Sequence, residues 1–244
     1  NQSATGTCAN RAGLSASDTQ TGINIDKTAP TITFLSRLPA ANGNGWNSAD
    51  VTITWSCTNS LSPILSGTVT QTLTAEGAAQ SATGMCQDQA GNTASNTQSG
   101  INIDKTAPTG VSLVPSGTLG NNGWYTSNVT ITTTGTEAVS GPLTCTGVQS
   151  LTTDTASATF NGSCTNLAGF TSNAAPLTLK RDATNPTITF LNRTPANGNG
   201  WNNGDVTLNW SCTDAMSGPV DGTITQTATA EGANQSSTAT CFDN

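Results

Sequence analysis

VTITWSC, residues 51 to 57, alternates without a break: Val51, Ile53, Trp55 and Cys57 fall on one face, and Thr52, Thr54 and Ser56 on the other. A two-residue period of this kind is a β-strand with one buried face. It sets an indole and a thiol together on the inside. The flanks read the same way. TITFL at 31 to 35 puts Ile32 and Phe34 on a half-buried face, and NGNGW at 42 to 46 carries the Asn-Gly pairs that populate positive φ in tight turns. After the strand, VTQTLTAE and SATGMC are followed by a QAGN turn and by GINI, which turns Ile101 and Ile103 inward. Six or seven short strands with turns between them, and no helical apolar stripe, predict an all-β sandwich.

The sandwich is one of a series. GINIDKTAPT at 22 to 31 returns unchanged at 100 to 109, and LTLKRDATNPT at 177 to 187 is a worn third copy. Asp26, Asp104 and Asp182 are each 78 residues apart, so the chain divides into a tandem array. The frame gives residues 1–25 as the last strands of an incomplete repeat, 26–103 and 104–181 as two full repeats, and 182–244 as a repeat without its last strands. Pro30, Pro108 and Pro186 fix φ just after each Asp and extend the residue before them, which makes each Asp-to-Pro segment a short, stiff hinge. Both ends cut the repeat at nearly the same point. Either the chain continues beyond Asn244, the favoured reading, or residues 1–25 of another molecule supply the missing strands by β-augmentation.

Cysteine follows the same frame. Cys8, Cys86, Cys164 and Cys241 share one repeat position, and Cys57 and Cys212 share another, so Cys57–Cys86 and Cys212–Cys241 form matching pairs. Cys145 is left for Cys164, and Cys8 needs a partner upstream of residue 1. In the second repeat Thr133 and Gly135 replace the Trp and Cys of the long strand together, so its bridge is expected to start on an adjacent strand. The chain is only 34 % hydrophobic and 5 % aromatic, too little for a 78-residue core to stand alone comfortably. One bridge per repeat stabilises it by roughly 3 to 4 kcal/mol on loop entropy.

Composition excludes several function classes. The net charge is −7 without a basic run, which argues against nucleic acid and against an anionic membrane surface. Charged residues make up 9 % and His is absent, so no His-based triad exists and no enzymatic activity is expected. Glu76, Asp154 and Glu231 recur at one repeat position and Asp50 and Asp205 at another, the behaviour of structural rather than catalytic acids. Paired cysteines and a Thr-, Ser- and Asn-rich surface indicate an extracellular or cell-surface location.

The order DKTAPT, NGW, VTITWSCT, TDAMSG, TAEGANQS, DQAGN and GINIDKTAP resembles the bacterial immunoglobulin-like repeats of long surface adhesins and other secreted bacterial proteins. The resemblance implies seven-stranded sandwiches joined end to end, with no catalysis in the repeats. It implies a fibre body or adhesin stalk, with an adhesive or carbohydrate-binding module, or accessory repeats of a secreted hydrolase, as alternatives. The expected partners are neighbouring repeats and other copies in fibres. No cofactor is expected: related repeats sometimes hold calcium at such junctions, but each hinge offers one Asp, followed in two cases by Lys27 or Lys105, against the six to eight oxygens the ion takes. Trp46, Trp124 and Trp201, each just after an Asn-Gly turn, are bead-end aromatics expected to pack across the hinge rather than to stack on a sugar.

Overall fold

The computed structural model describes all of residues 1–244, and nearly every element in it is a β-strand. Two compact units form. The first holds residues 1–107 with 137–142 and 166–170, and the second holds 108–136, 143–165 and 171–244.

In the first unit β1 (Gln2–Ala9) and β2 (Ser15–Ile23) make an antiparallel hairpin that is exposed almost throughout. Residues 26 to 103 then build a sandwich from β3 (Thr31–Leu38), β4 (Trp46–Asn47), β5 (Val51–Thr58), β6 (Thr68–Leu73), β7 (Gly77–Gln87) and β8 (Thr93–Ile103). One sheet runs β3-β5-β6 and the other β4-β8-β7, with β4 parallel to β8 and the remaining pairs antiparallel. The alternation of β5 is realised in full, since Val51, Ile53, Trp55 and Cys57 are buried and meet Ala82, Ile101 and Ile103 from the other sheet. Burial of each such aliphatic side chain is worth about 1.5 to 3 kcal/mol, so this small cluster carries most of what the core supplies.

Trp55 sets the spacing between the sheets. Its Nε1 donates to Asn96 Oδ1 at 3.0 Å, which satisfies the one polar atom of a buried indole. Gly84 lies flat against the ring, where a Cβ would stand 2.6 Å from two of its carbons. The disulfide Cys57–Cys86 joins β5 to β7 and so crosses from one sheet to the other. One inward reading fails: Phe34 is 41 % exposed although Ile32 packs on the core. Phe34 pairs with Trp55 as Ile32 pairs with Cys57, and the register irregularity comes only after it, between Phe34 and Ser36, so the alternation holds up to Phe34 and the ring is left exposed on an edge strand.

The second unit is cut more finely. Its strands are β9 (Thr109–Ser116), β10 (Trp124–Tyr125), β11 (Val129–Thr136), β12 (Thr144–Cys145), β13 (Gln149–Leu151), β14 (Thr155–Phe160), β15 (Ser163–Thr165), β16 (Thr171–Asn173), β17 (Leu177–Arg181), β18 (Thr187–Arg193), β19 (Val206–Thr213) and β20 (Thr223–Ala228). They form three-stranded sheets in the orders β13-β11-β9, β10-β17-β14, β12-β15-β16 and β18-β19-β20. Residues 104 to 181 therefore hold nine strands where about seven were expected and the first sandwich has six, because the stretches matching β7 and β8 are each interrupted once and β12 is added. Val129, Ile131, Leu151 and Leu179 form the core, with Phe160 packed against them.

Phe160 explains how the second core tolerates Thr133. At the matching positions of the first sandwich stand Trp55 and Ala82; here the large ring has moved to the opposite sheet and the small residue takes its place. The exchange keeps the core roughly filled, although the Thr133 hydroxyl is left buried without a hydrogen-bond partner. The bridge moves as well. Cys145 and Cys164 face each other directly on β12 and β15, neighbours in one sheet, with Cα atoms 4.0 Å apart against 5.9 Å for Cys57–Cys86. Cys212 on β19 is joined to Cys241, and Cys8 is free and exposed.

Candidate functional site

At each 78-residue step the hinge Asp is held by the same two loops. Asp26 Oδ1 accepts the Thr28 N–H at 2.9 Å, and its Oδ2 accepts Ser62 Oγ at 2.7 Å, Ser62 N at 3.0 Å and Asn59 Nδ2 at 3.0 Å. Asn59 Nδ2 also reaches Asp88 Oδ2 at 3.0 Å, and Asn92 Nδ2 donates to that same oxygen at 2.9 Å. Two carboxylates are thus knitted together by amide nitrogens. The donors, the Ser62 hydroxyl foremost, hold the Asp26 carboxyl down at about 2. Burial works against ionisation of Asp88, but the side chain and N–H of Asn92 outweigh it and keep that group low too.

The second boundary repeats the design with the residue types permuted. Asp104 is fully buried; its Oδ1 accepts Thr106 N at 2.9 Å, and its Oδ2 accepts the Ser140 hydroxyl and, at 2.9 Å, Asn166 Nδ2. Asn166 Nδ2 lies 2.9 Å from both Glu137 Oε2 and the Thr106 carbonyl oxygen. Glu137 stands where Asn59 stood and Asn166 where Asp88 stood, so acid and amide have exchanged positions while the pair of carboxylates is kept. Burial raises the Glu137 carboxyl, but the Val139 N–H, the Asn166 amide and the Ala138 N–H more than offset it and leave it below the usual range.

At the third boundary both positions are acids. Asp182 Oδ1 accepts Thr184 N at 3.0 Å and Oδ2 accepts Ser217 N at 2.9 Å, while Asp214 Oδ1 takes the N–H groups of Met216 and Gly218 at 2.8 and 3.0 Å. The Ser217 hydroxyl donates to Asp243. Carboxylate oxygens of Asp182, Asp214 and Asp243 lie within 4.8 Å of one another. No amide separates them. The only ion pairs in the protein are Lys105–Asp50 at 2.8 Å and Arg181–Asp154 at 2.5 Å, so no cationic side chain neutralises any of the three boundary clusters. The expectation of one carboxylate per hinge is corrected here: Asp88, Glu137, Asp214 and Asp243 join the hinge Asp from loops far away in sequence.

The outer acids have a separate role. Glu76 Oε1 accepts Lys105 N at 2.6 Å and the Thr106 hydroxyl at 2.8 Å, and Lys105 Nζ bonds Asp50 and the Thr74 carbonyl. In the next repeat Asp154 takes over from Glu76 and binds Arg181, Ala183 N and the Thr184 hydroxyl. Ala183 stands where Lys105 did, and the cation has moved two residues back to Arg181. Pro30, Pro108 and Pro186 lie on the hinges that these contacts pin, and Pro30 and Pro108 are buried.

The three Trp residues are not equivalent. Trp46 and Trp124 are 8 % and 7 % exposed, and their backbones pair in parallel with β8 and β17, the last strands of their own repeats. Lys180 Nζ lies 4.9 Å over the Trp124 ring. Trp201 is 56 % exposed.

No protein-family model matches the chain, and no curated protein matches it. Among solved structures it is similar to one described as a Ca2+-stabilized adhesin that helps an Antarctic bacterium reach out and bind ice, at 17 % identity and a TM-score of 0.30, over 93 % of this chain and 71 % of that one. The immunoglobulin-like family resemblance therefore rests on the repeat motifs alone.

Proposed function

We propose that this chain is a load-bearing segment of an extracellular bacterial surface protein, the body of a fibre or the stalk of an adhesin, made of immunoglobulin-like repeats. The observation that carries the reading is the hinge network: three times, 78 residues apart, an Asp ahead of a Pro is tied to loops distant in sequence, by a side-chain amide at the first two boundaries and by a backbone N–H at the third. An array that only displayed loops to a ligand would have no need to fix every boundary alike. Three disulfides belong to an oxidising compartment. The carbohydrate-binding alternative loses support from the burial of Trp46 and Trp124.

Single-molecule extension tests it. Each bridge hides the length of chain between its cysteines, a sequence separation of 29 for Cys57–Cys86 and 19 for Cys145–Cys164. At ~3.4 Å per residue, reduction adds about 100 Å to the extension of the first sandwich and about 65 Å to that of the second. Discrete unfolding steps with those gains are expected. A smooth extension without steps contradicts a load-bearing role.

The third boundary is further proposed to take calcium. Three carboxylates without an amide or a cationic side chain repel one another, and an all-oxygen set suits a hard divalent ion, with backbone oxygens and water completing its shell. Calcium in hundredfold excess over its dissociation constant would stabilise the fold by about 2.7 kcal/mol. The expected result is a melting temperature several degrees higher in calcium than in chelator, with the difference lost in Asp214→Asn/Asp243→Asn. Equal melting in both solutions dismisses the ion.

A further inference from the structure

The bridges of the two complete repeats differ in how far solvent reaches them. Cys57 lies on the middle strand of its sheet with 3 % of its surface exposed, and Cys86, which meets it from the other sheet, has 1 %. Both halves of that bridge are closed to solvent. Cys145 stands instead on β12, a strand of two residues at the edge of the sheet β12-β15-β16, and is only half-buried. Its neighbours Gly141, Pro142, Thr144, Thr146 and Gly147 are exposed, whereas its partner Cys164 is fully buried. This bridge has one open end and one closed end.

Little besides the bridge keeps β12 in place. The strand pairs with β15 alone, through Thr144 opposite Thr165 and Cys145 opposite Cys164, and the Thr146 N–H just beyond it donates to the Ser163 carbonyl at 2.8 Å. β12 also ends a loop with work to do. That loop leaves β11 after Thr136 and carries Glu137, whose Oε2 accepts Asn166 Nδ2, and Ser140, whose hydroxyl donates to Asp104. In the first repeat the bridge comes before the corresponding loop, at Cys57, two residues ahead of Asn59. In the second it comes after, so the sulfur link is what fastens the far end of the loop.

We propose that Cys145–Cys164 is a thiol-exchange site, opened by dithiols while Cys57–Cys86 stays closed, and that its opening releases the loop at residues 137–148. Exchange needs a thiolate to reach a sulfur, and exposed bridges are accordingly the labile ones. The incoming thiolate attacks Cys145 Sγ, the accessible sulfur. A new S–S bond forms there, the bond to Cys164 breaks, and the electron pair leaves on Cys164 Sγ, which takes a proton from water. The second thiolate of the reagent then attacks its own sulfur in the mixed disulfide, closes the reagent into a disulfide and leaves Cys145 as a thiol. Two electrons pass from the dithiol to the bridge. The Cys57–Cys86 bridge offers no sulfur to such an attack.

The test is partial reduction of the folded chain, in a Cys8→Ser background so that the exposed thiol neither exchanges nor takes label. After brief exposure to dithiothreitol, free thiols are alkylated and located by peptide mapping. Cys145 and Cys164 are expected to take label at least about tenfold faster than Cys57 and Cys86. With glutathione as the thiol, the mixed disulfide is expected on Cys145. Hydrogen exchange of the selectively reduced protein is expected to rise over residues 137–148 while β11 keeps its protection. Equal labelling of the two bridges overturns the proposal, as does glutathione found on Cys164. Exchange that is unchanged over 137–148, or that rises equally in β11, overturns the release of the loop. Each of these failures leaves the load-bearing role of the repeats untouched.

Discussion

Asp26 shows how much of the boundary is electrostatic. Its carboxyl is held at about 2, below the ordinary value of 3.8, by the Ser62 hydroxyl and by the Thr28 N–H, with Asn59 adding to them. A group depressed in the folded state contributes stability that is present in full above its unfolded pKa and is lost as pH falls through the folded one. Asp88, Glu137, Asp154 and Asp214 shift in the same direction. The melting temperature is therefore expected to be level at neutral pH and to fall between about pH 4 and 2, with Asp26→Asn flattening part of that fall; melts at stepped pH check it. Hardly any of this was legible in the sequence. The hinge Asp stands out because its neighbours repeat letter for letter, whereas its partners change identity from copy to copy, Asn59 to Glu137 to Asp214 and Asp88 to Asn166 to Asp243. A motif whose acids change position and number from copy to copy leaves no fixed letters to find.

Strand β5 was legible in full, because a buried face writes itself as alternation and nothing interrupts it. Its partner β7 was not: Ala82 and Gly84 carry no apolar signal, and their smallness has meaning only once Trp55 is known to lie against them. Gly84→Ala is accordingly expected to cost about 1 to 3 kcal/mol as an overpacking change, and pairing it with Trp55→Phe should recover part of that loss; denaturant titration of both variants reads the difference. Gly162 makes the same close approach to Thr133, so the small residue belongs to the strand position rather than to the indole. Of the two interruptions in the second repeat, the one after Phe160 is marked by the Asn161-Gly162 turn pair and went unread, whereas the one after Asn173 carries no such pair. The exposure of Phe34 was missed for a different reason, since alternation fixes the side of the strand a residue takes but not how far its neighbours cover it on an edge strand.

The tandem frame and the cysteine pairing were visible across the full chain, since both are arithmetic on spacing, and the structure contains Cys57–Cys86, Cys145–Cys164 and Cys212–Cys241. What the spacing could not give is direction: two sandwiches' worth of sequence use bridges that run between sheets and along a sheet respectively. The account stands on the claim that cores this small depend on their sulfur links. Its most direct test is the melting of the oxidised and the fully reduced protein, followed by circular dichroism, with thiol titration confirming both states. A bridge worth roughly 3 to 4 kcal/mol in a unit of this size should move the midpoint by roughly 12 to 30 °C. A reduced protein that keeps its β-sheet signal and melts at the same temperature as the oxidised one would contradict the claim outright.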